Sequence, residues 1–82
     1  VDLAKYTGWL CFHPYDSRRS EPGFPDLVLV KNRVIFAELK SEKGRLRPAQ
    51  ALWIERLRNA GAEVYFWRPS DMDEIREHLT TA

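Results

Sequence analysis

Hydrophobic positions along the chain fall into short blocks separated by polar, Pro- or Gly-containing stretches. Trp9 to His13 (WLCFH), Asp26 to Val30 (DLVLV), Val34 to Lys40 (VIFAELK) and Glu63 to Trp67 (EVYFW) are rich in β-branched and aromatic residues, and each predicts a strand. Lys31-Asn32-Arg33 predicts a tight turn that joins the second and third runs as a β-hairpin. A different period governs Pro48 to Ala60. There Ala49, Leu52, Trp53, Leu57 and Ala60 line up as one stripe of a helix, with Pro48 at its first position and Gly61 stopping it. Val1 to Thr7 predicts the tail of a helix ended by Gly8. Ser70, with Asp73 three residues on, has the form of an N-terminal cap for a last helix whose Met72, Ile75 and Leu79 face the core. Pro14 to Pro25 and Ser41 to Arg47 predict loops.

These elements predict an α/β fold with a mixed sheet of about four strands, the hairpin of residues 26–40 central and helices flanking it. The last strand arrives through a helix and can therefore run parallel to a neighbour. At 82 residues, one domain over positions 1–82 is expected, because so short a chain does not support two cores. A hydrophobic share of 44% with 30% charged residues excludes a disordered chain. No apolar run exceeds four residues, Leu27 to Val30 being one, so no membrane-spanning helix is expected. No basic start leads into an apolar core, and no signal peptide is expected. The single cysteine, Cys11, excludes an internal disulfide and a cysteine zinc cluster, and it fits a reducing compartment. Cys11, Trp9, Trp53 and Trp67 read as packed residues.

Charge changes the picture more than composition does. The net charge is +1, but residues 18–47 alone carry +4, with Arg18, Arg19, Lys31, Arg33, Lys40, Lys43, Arg45 and Arg47 against four acids. Clustered basic charge suits a phosphate-rich partner; a merely solvated surface is the other reading. Inside this segment the hairpin arranges acids. With a turn at Lys31 to Arg33, Val30 pairs with Val34, Val28 with Phe36, and Asp26 with Glu38. Side chains alternate along a strand, so Asp26, Glu38 and Lys40 share a face and Leu39 points away. Directly opposed residues have Cβ atoms about 4.5–5.5 Å apart. Two carboxylates that close repel unless a cation lies between them. Oxygen ligands of this kind suit Mg²⁺ or Mn²⁺ over zinc. A surface Glu–Lys pair beside an unrelated Asp is the alternative.

Pro25-Asp26, an eleven-residue gap, then Glu38-Leu39-Lys40 resembles the PD-(D/E)xK nuclease signature. The surrounding residues narrow the likeness. Gly23-Phe24-Pro25-Asp26-Leu27-Val28, Ala37-Glu38-Leu39-Lys40, Gly44-Arg45-Leu46 and Gln50 resemble the virus-type replication–repair nuclease (VRR-NUC) domain, from about Gly8 onward. This resemblance implies a restriction-endonuclease-like core and a Mg²⁺-dependent endonuclease, with Mn²⁺ as a substitute. It implies Asp26 and Glu38 as metal ligands with the Leu39 carbonyl, Lys40 as the group that orients or activates the attacking water, and Gln50 as a supporting residue at the site. Arg18 and Arg19, before the Asp strand, and Lys43, Arg45 and Arg47, after the Lys40 strand, become candidate DNA phosphate contacts.

The family includes enzymes that act on branched DNA, small stand-alone ones being similar to Holliday-junction resolvases, and such members occur in bacteriophages. Two symmetric cuts suit a homodimer, with Trp67 or Tyr65 as candidate contacts, in the cytoplasm (the host's, if phage-encoded). The chain departs from the pattern in one respect. Such nucleases usually carry another acid on a helix before the first strand, and here that helix is short, with only Asp2 on it. Part of that helix is therefore expected to be missing. Two other readings stand beside the nuclease: a non-catalytic nucleic-acid-binding module of the same fold, and a protein-interaction domain of replication or repair complexes. Tyr15 is a weaker stacking candidate, His13 could reach the site, and His78 is expected to be solvated.

Overall fold

The computed structural model describes residues 2–14 and 22–81. The elements run α1 (Asp2–Tyr6), β1 (Leu10–Phe12), β2 (Leu27–Val30), β3 (Val34–Leu39), α2 (Pro48–Asn59), β4 (Glu63–Trp67) and α3 (Met72–Thr80), with a 3-10 turn at Pro69–Asp71 before α3. The four strands form one sheet in the order β1-β2-β3-β4. β1 and β2 are antiparallel, as are β2 and β3, while β4 returns through α2 to lie parallel to β3. The mixed α/β sheet with flanking helices is the expected one. Gly8 and Gly61 end α1 and α2 with φ of 92° and 89°, values a glycine adopts without strain.

Alternation sorts the sheet into two faces. Leu27 and Leu29, Ile35 and Ala37, and Trp67 point to one side. There they bury against Ala4 of α1, Leu79 of α3 and Trp9. Trp9 precedes β1 and donates its indole N–H to the Leu79 carbonyl at 2.9 Å, tying the end of α3 to the first strand. Cys11 is half-buried against this core. Val28 and Phe36 point to the opposite side, where α2 packs against β4 with Ile54 as its buried residue.

Two helix details differ from expectation. In α2 the buried residue is Ile54, whereas Leu52 is 48% exposed and Trp53 and Leu57 are half-buried. A helix crossing one strand touches it along a narrow line, and spacing alone does not say which residue lies on that line. The cap of α3 is also displaced. Pro69 pre-sets a turn one step early, and Asp71 accepts the Arg68 backbone N–H at 2.8 Å. Ser70 caps nothing, and Asp73 pairs with Arg76 at 3.4 Å. Met72 thereby sits at the rim, 46% exposed, while Ile75 and Leu79 face the core as expected.

Candidate active site

The β2–β3 ladder runs from Val30 opposite Val34 to Leu27 opposite Ala37. One step beyond it, Asp26 and Glu38 face each other, as the hairpin arithmetic requires. The Asp26 backbone N–H donates to Glu38 Oε1 at 3.2 Å, and the Leu39 N–H donates to Asp26 Oδ2 at 2.9 Å. Each carboxylate is thus held by the backbone of the opposite strand. Glu38 is only 1% exposed, and its second oxygen, Oε2, is buried without a hydrogen-bond partner. Burial, followed by the hydrogen bond and charge of the Asp26 carboxylate, pushes the Glu38 carboxyl up to about 7 from 4.5; the Asp26 N–H and the Lys40 charge work the other way. A buried carboxylate with one open oxygen beside a second carboxylate costs free energy alone, a cost that a proton or a bound cation offsets.

Lys40 follows Glu38 by two residues, just past the end of β3. Its backbone N–H donates to the Trp67 carbonyl at 3.0 Å, which fixes where the strand lets go. The chain then turns at Gly44, whose N–H donates to the Ser41 carbonyl at 3.2 Å. Lys43, Arg45 and Arg47 are exposed along this turn. Gln50 is half-buried, and its amide oxygen accepts the Arg47 N–H at 2.8 Å, closing the first turn of α2.

Arg68, a residue that sequence reasoning missed, braces the turn from the end of β4. Its guanidinium donates to the Ser41 carbonyl at 2.6 Å and the Glu42 carbonyl at 2.9 Å, and lies over the Phe66 ring at 4.8 Å. The Glu42 carboxylate in turn accepts the Ser70 N–H. No local spacing signals Arg68, because its partners lie 26 and 27 residues away.

Other candidates are not brought to the carboxylates. Arg18, Arg19 and Tyr15 lie outside the described residues. His13 is exposed beyond β1, and Asp2 is exposed on α1. Among the described residues no group of three or more His, Cys, Asp or Glu could hold a metal ion, so Asp2 does not join Asp26 and Glu38. His78 is not solvated as expected: its ring stacks on Tyr65 at 4.3 Å, with the Tyr65 hydroxyl 3.3 Å from Nδ1. Tyr65 also stacks on Trp67 at 5.2 Å, and Trp67 is 3% exposed. Trp67 is thus consumed by the chain's own core and is not available as a dimer contact.

The VRR-NUC domain profile matches residues 4–70, a stretch from α1 through β4 that includes both carboxylates, Lys40 and Gln50. The chain belongs to the VRR-NUC family. A comparison with curated proteins finds no match. Membership makes this VRR-NUC domain a nuclease of the PD-(D/E)xK type, and the mixed sheet agrees with a restriction-endonuclease-like core. Nucleases of that type generally use divalent metals. The residues present fit one. Two carboxylates meet with an open buried oxygen between strands, and the donors are hard oxygens.

Proposed function

We propose that the chain is a Mg²⁺-dependent DNA endonuclease, with Mn²⁺ as a substitute ion. The observation that carries this reading is the buried, half-satisfied Glu38 facing Asp26 at the open end of the hairpin. Asp26, Glu38 and the Leu39 carbonyl would hold the ion. When bound, it supplies charge neutralisation at the phosphate and makes a water more acidic. Lys40 orients that water and offsets charge gathering on the phosphoryl oxygens. Gln50 acts by capping α2 beside the site, and Lys43, Arg45 and Arg47 grip backbone phosphates from the turn that Arg68 braces. Nothing in the sequence resembles a base-reading motif, so DNA shape is the expected discriminator, and branched DNA such as a Holliday junction is the proposed substrate.

A homodimer suits the two symmetric cuts of such a substrate. Its support is an apolar row on the α2 side of the sheet that the other described residues leave exposed, away from the buried Trp67. Leu10, Val30 and Val34 lie side by side there at 74, 36 and 44% exposure, with Phe12 next to them at 61%. No helix of the described residues is long and apolar enough to cross a membrane; the proposed location is the cytoplasm.

The test is cleavage of labelled four-way, flap, single-stranded and duplex DNA in Mg²⁺, Mn²⁺ or chelator, beside Lys40→Ala. Metal-dependent cutting that the variant loses is the expected result. That only two carboxylates come together at the site among the described residues favours one second reading, a DNA-binding module without catalysis. That reading predicts salt-sensitive DNA binding with no cutting under any ion.

A further inference from the structure

Asp26 stands just outside the ladder, so strand pairing does not hold the chain that leads into it. That chain, residues 22–25, is tied instead to α2. The Trp53 indole N–H donates to the Pro22 carbonyl at 3.0 Å across 31 residues of sequence. Gly23 has φ of 88° and lies so close to α2 that a Cβ there would stand 2.5 Å from the Ala49 carbonyl carbon and oxygen. Backbone against backbone at that range admits only glycine. Phe24 fills the remaining space, edge-on to Trp53 at 5.1 Å and to Phe36 of β3 at 6.1 Å. Pro25 is buried and stiff, and Asp26 follows it.

The geometry points to Trp53 as a positioning residue for the Asp26 carboxylate. This rests on the nuclease reading above and deepens it. Trp53 touches no reacting group; it acts through Pro22 and Gly23 on where Asp26 stands. The need for such a clamp follows from the site itself. Besides the loop, Asp26 is held by the 3.2 Å bond from its N–H to Glu38 Oε1, an oxygen for which a cation competes, and by the Leu39 N–H on its carboxylate at 2.9 Å. The approach chain must therefore be fixed independently if the two carboxylates are to stay matched to one ion, since small misplacements are costly at a charged centre. α2 supplies that reference because it packs against β4, with Ile54 as its buried residue.

The experiment measures Mn²⁺ binding to DNA-free protein by paramagnetic resonance, and Mg²⁺ activation of DNA cleavage, for wild type, Trp53→Phe, Ile54→Val and Asp26→Asn. Trp53→Phe keeps an aromatic ring against Phe24 but removes the N–H together with the pyrrole half of the indole. It is expected to weaken Mn²⁺ binding about three- to tenfold, the size of one hydrogen bond. The Mg²⁺ needed for half-maximal rate should rise equally, with the maximal rate recovered at saturating ion and the KM for DNA unchanged. Ile54→Val trims one buried methyl and leaves the Trp53–Pro22 bond in place, and is expected to lower Tm without moving the Mn²⁺ affinity. Wild-type affinity in Trp53→Phe, or an equal loss in Ile54→Val, overturns the positioning role. Wild-type protein that binds no Mn²⁺, or that binds it no better than Asp26→Asn, overturns the nuclease reading and this inference with it.

Discussion

Two glutamates on neighbouring strands show how one sheet can carry a fastener and a site. Glu63, at the start of β4, spends both oxygens: Oε1 accepts from Arg33 Nε at 2.8 Å and Oε2 from the Tyr65 hydroxyl at 2.6 Å. Arg33 also donates to the His78 carbonyl at 2.8 Å and the Thr81 carbonyl at 3.2 Å, and lies over the Trp9 ring at 5.2 Å. The cluster staples the end of α3 to the hairpin turn. Glu38, at the other end of the sheet and on its opposite face, is more deeply buried and keeps one oxygen open. A closed network repays its own desolvation; an open one is repaid only by something that binds.

The sharpest way to break the comparison is to neutralise each acid. Glu38→Gln is expected to lower cleavage by on the order of a thousandfold or more, because several kcal/mol of transition-state stabilisation pass through the ion it holds. The same substitution should raise the Tm of metal-free protein, since it removes a buried charge. Glu63→Gln should do the reverse, lowering Tm while metal-saturated cleavage stays within about twofold of wild type, as expected of a group remote from the reaction. Next in size is Arg33→Ala. It leaves Glu63 without its cation and two carbonyls without their donor. Urea unfolding should show a loss of about 2–3 kcal/mol with Mn²⁺ affinity unchanged.

A pH series distinguishes the clusters without mutation. The Glu38 carboxyl, raised to about 7 chiefly by burial and then by Asp26, keeps its proton when folded at pH values where the unfolded chain, near 4.5, has lost it. The folded state then binds more protons, and metal-free stability falls as pH rises through that window, by on the order of 1–3 kcal/mol. Saturating Mg²⁺ or the Glu38→Gln substitution should flatten the slope, and metal uptake should release a proton near neutrality. A metal-free Tm that does not fall between pH 5 and 7.5 would contradict the buried, uncompensated Glu38. The smallest effect belongs to Tyr65. Burial, then the Glu63 hydrogen bond and charge, hold its hydroxyl up to about 12 from 10.0. Its stabilising share is present below pH 10 and lost as pH climbs toward 12. Tyr65→Phe should cost about 1 kcal/mol at neutral pH and remove the late phase of an ultraviolet tyrosine titration.

The Asp26–Glu38 pairing was legible from the chain because it rests on two local facts. Strand side chains alternate with a period of two, and a three-residue turn sets which residues meet. Glu63 to Trp67 as a strand was legible for the same kind of reason. The limits appear wherever an element must choose its partner. The α2 spacing did not reveal that Ile54 would seat the helix while Trp53 turned toward Pro22. His78 looked like a surface group, and Trp67 could equally have been a core or a dimer contact, until β4 and α3 packed around them.

What the sequence determined by itself, then, is the hairpin register, the family, and which carboxylates oppose each other, since all of these are written in spacing along a short stretch. Tertiary structure alone decided that Glu38 would be buried with an open oxygen while Glu63 was fully paired. It also decided that Arg68 would brace the basic turn and that Trp53 would hold the approach to Asp26. Burial and partner choice depend on which distant segments arrive at the same place. Residues 26, 31 or 70 positions apart share no local period that could announce it.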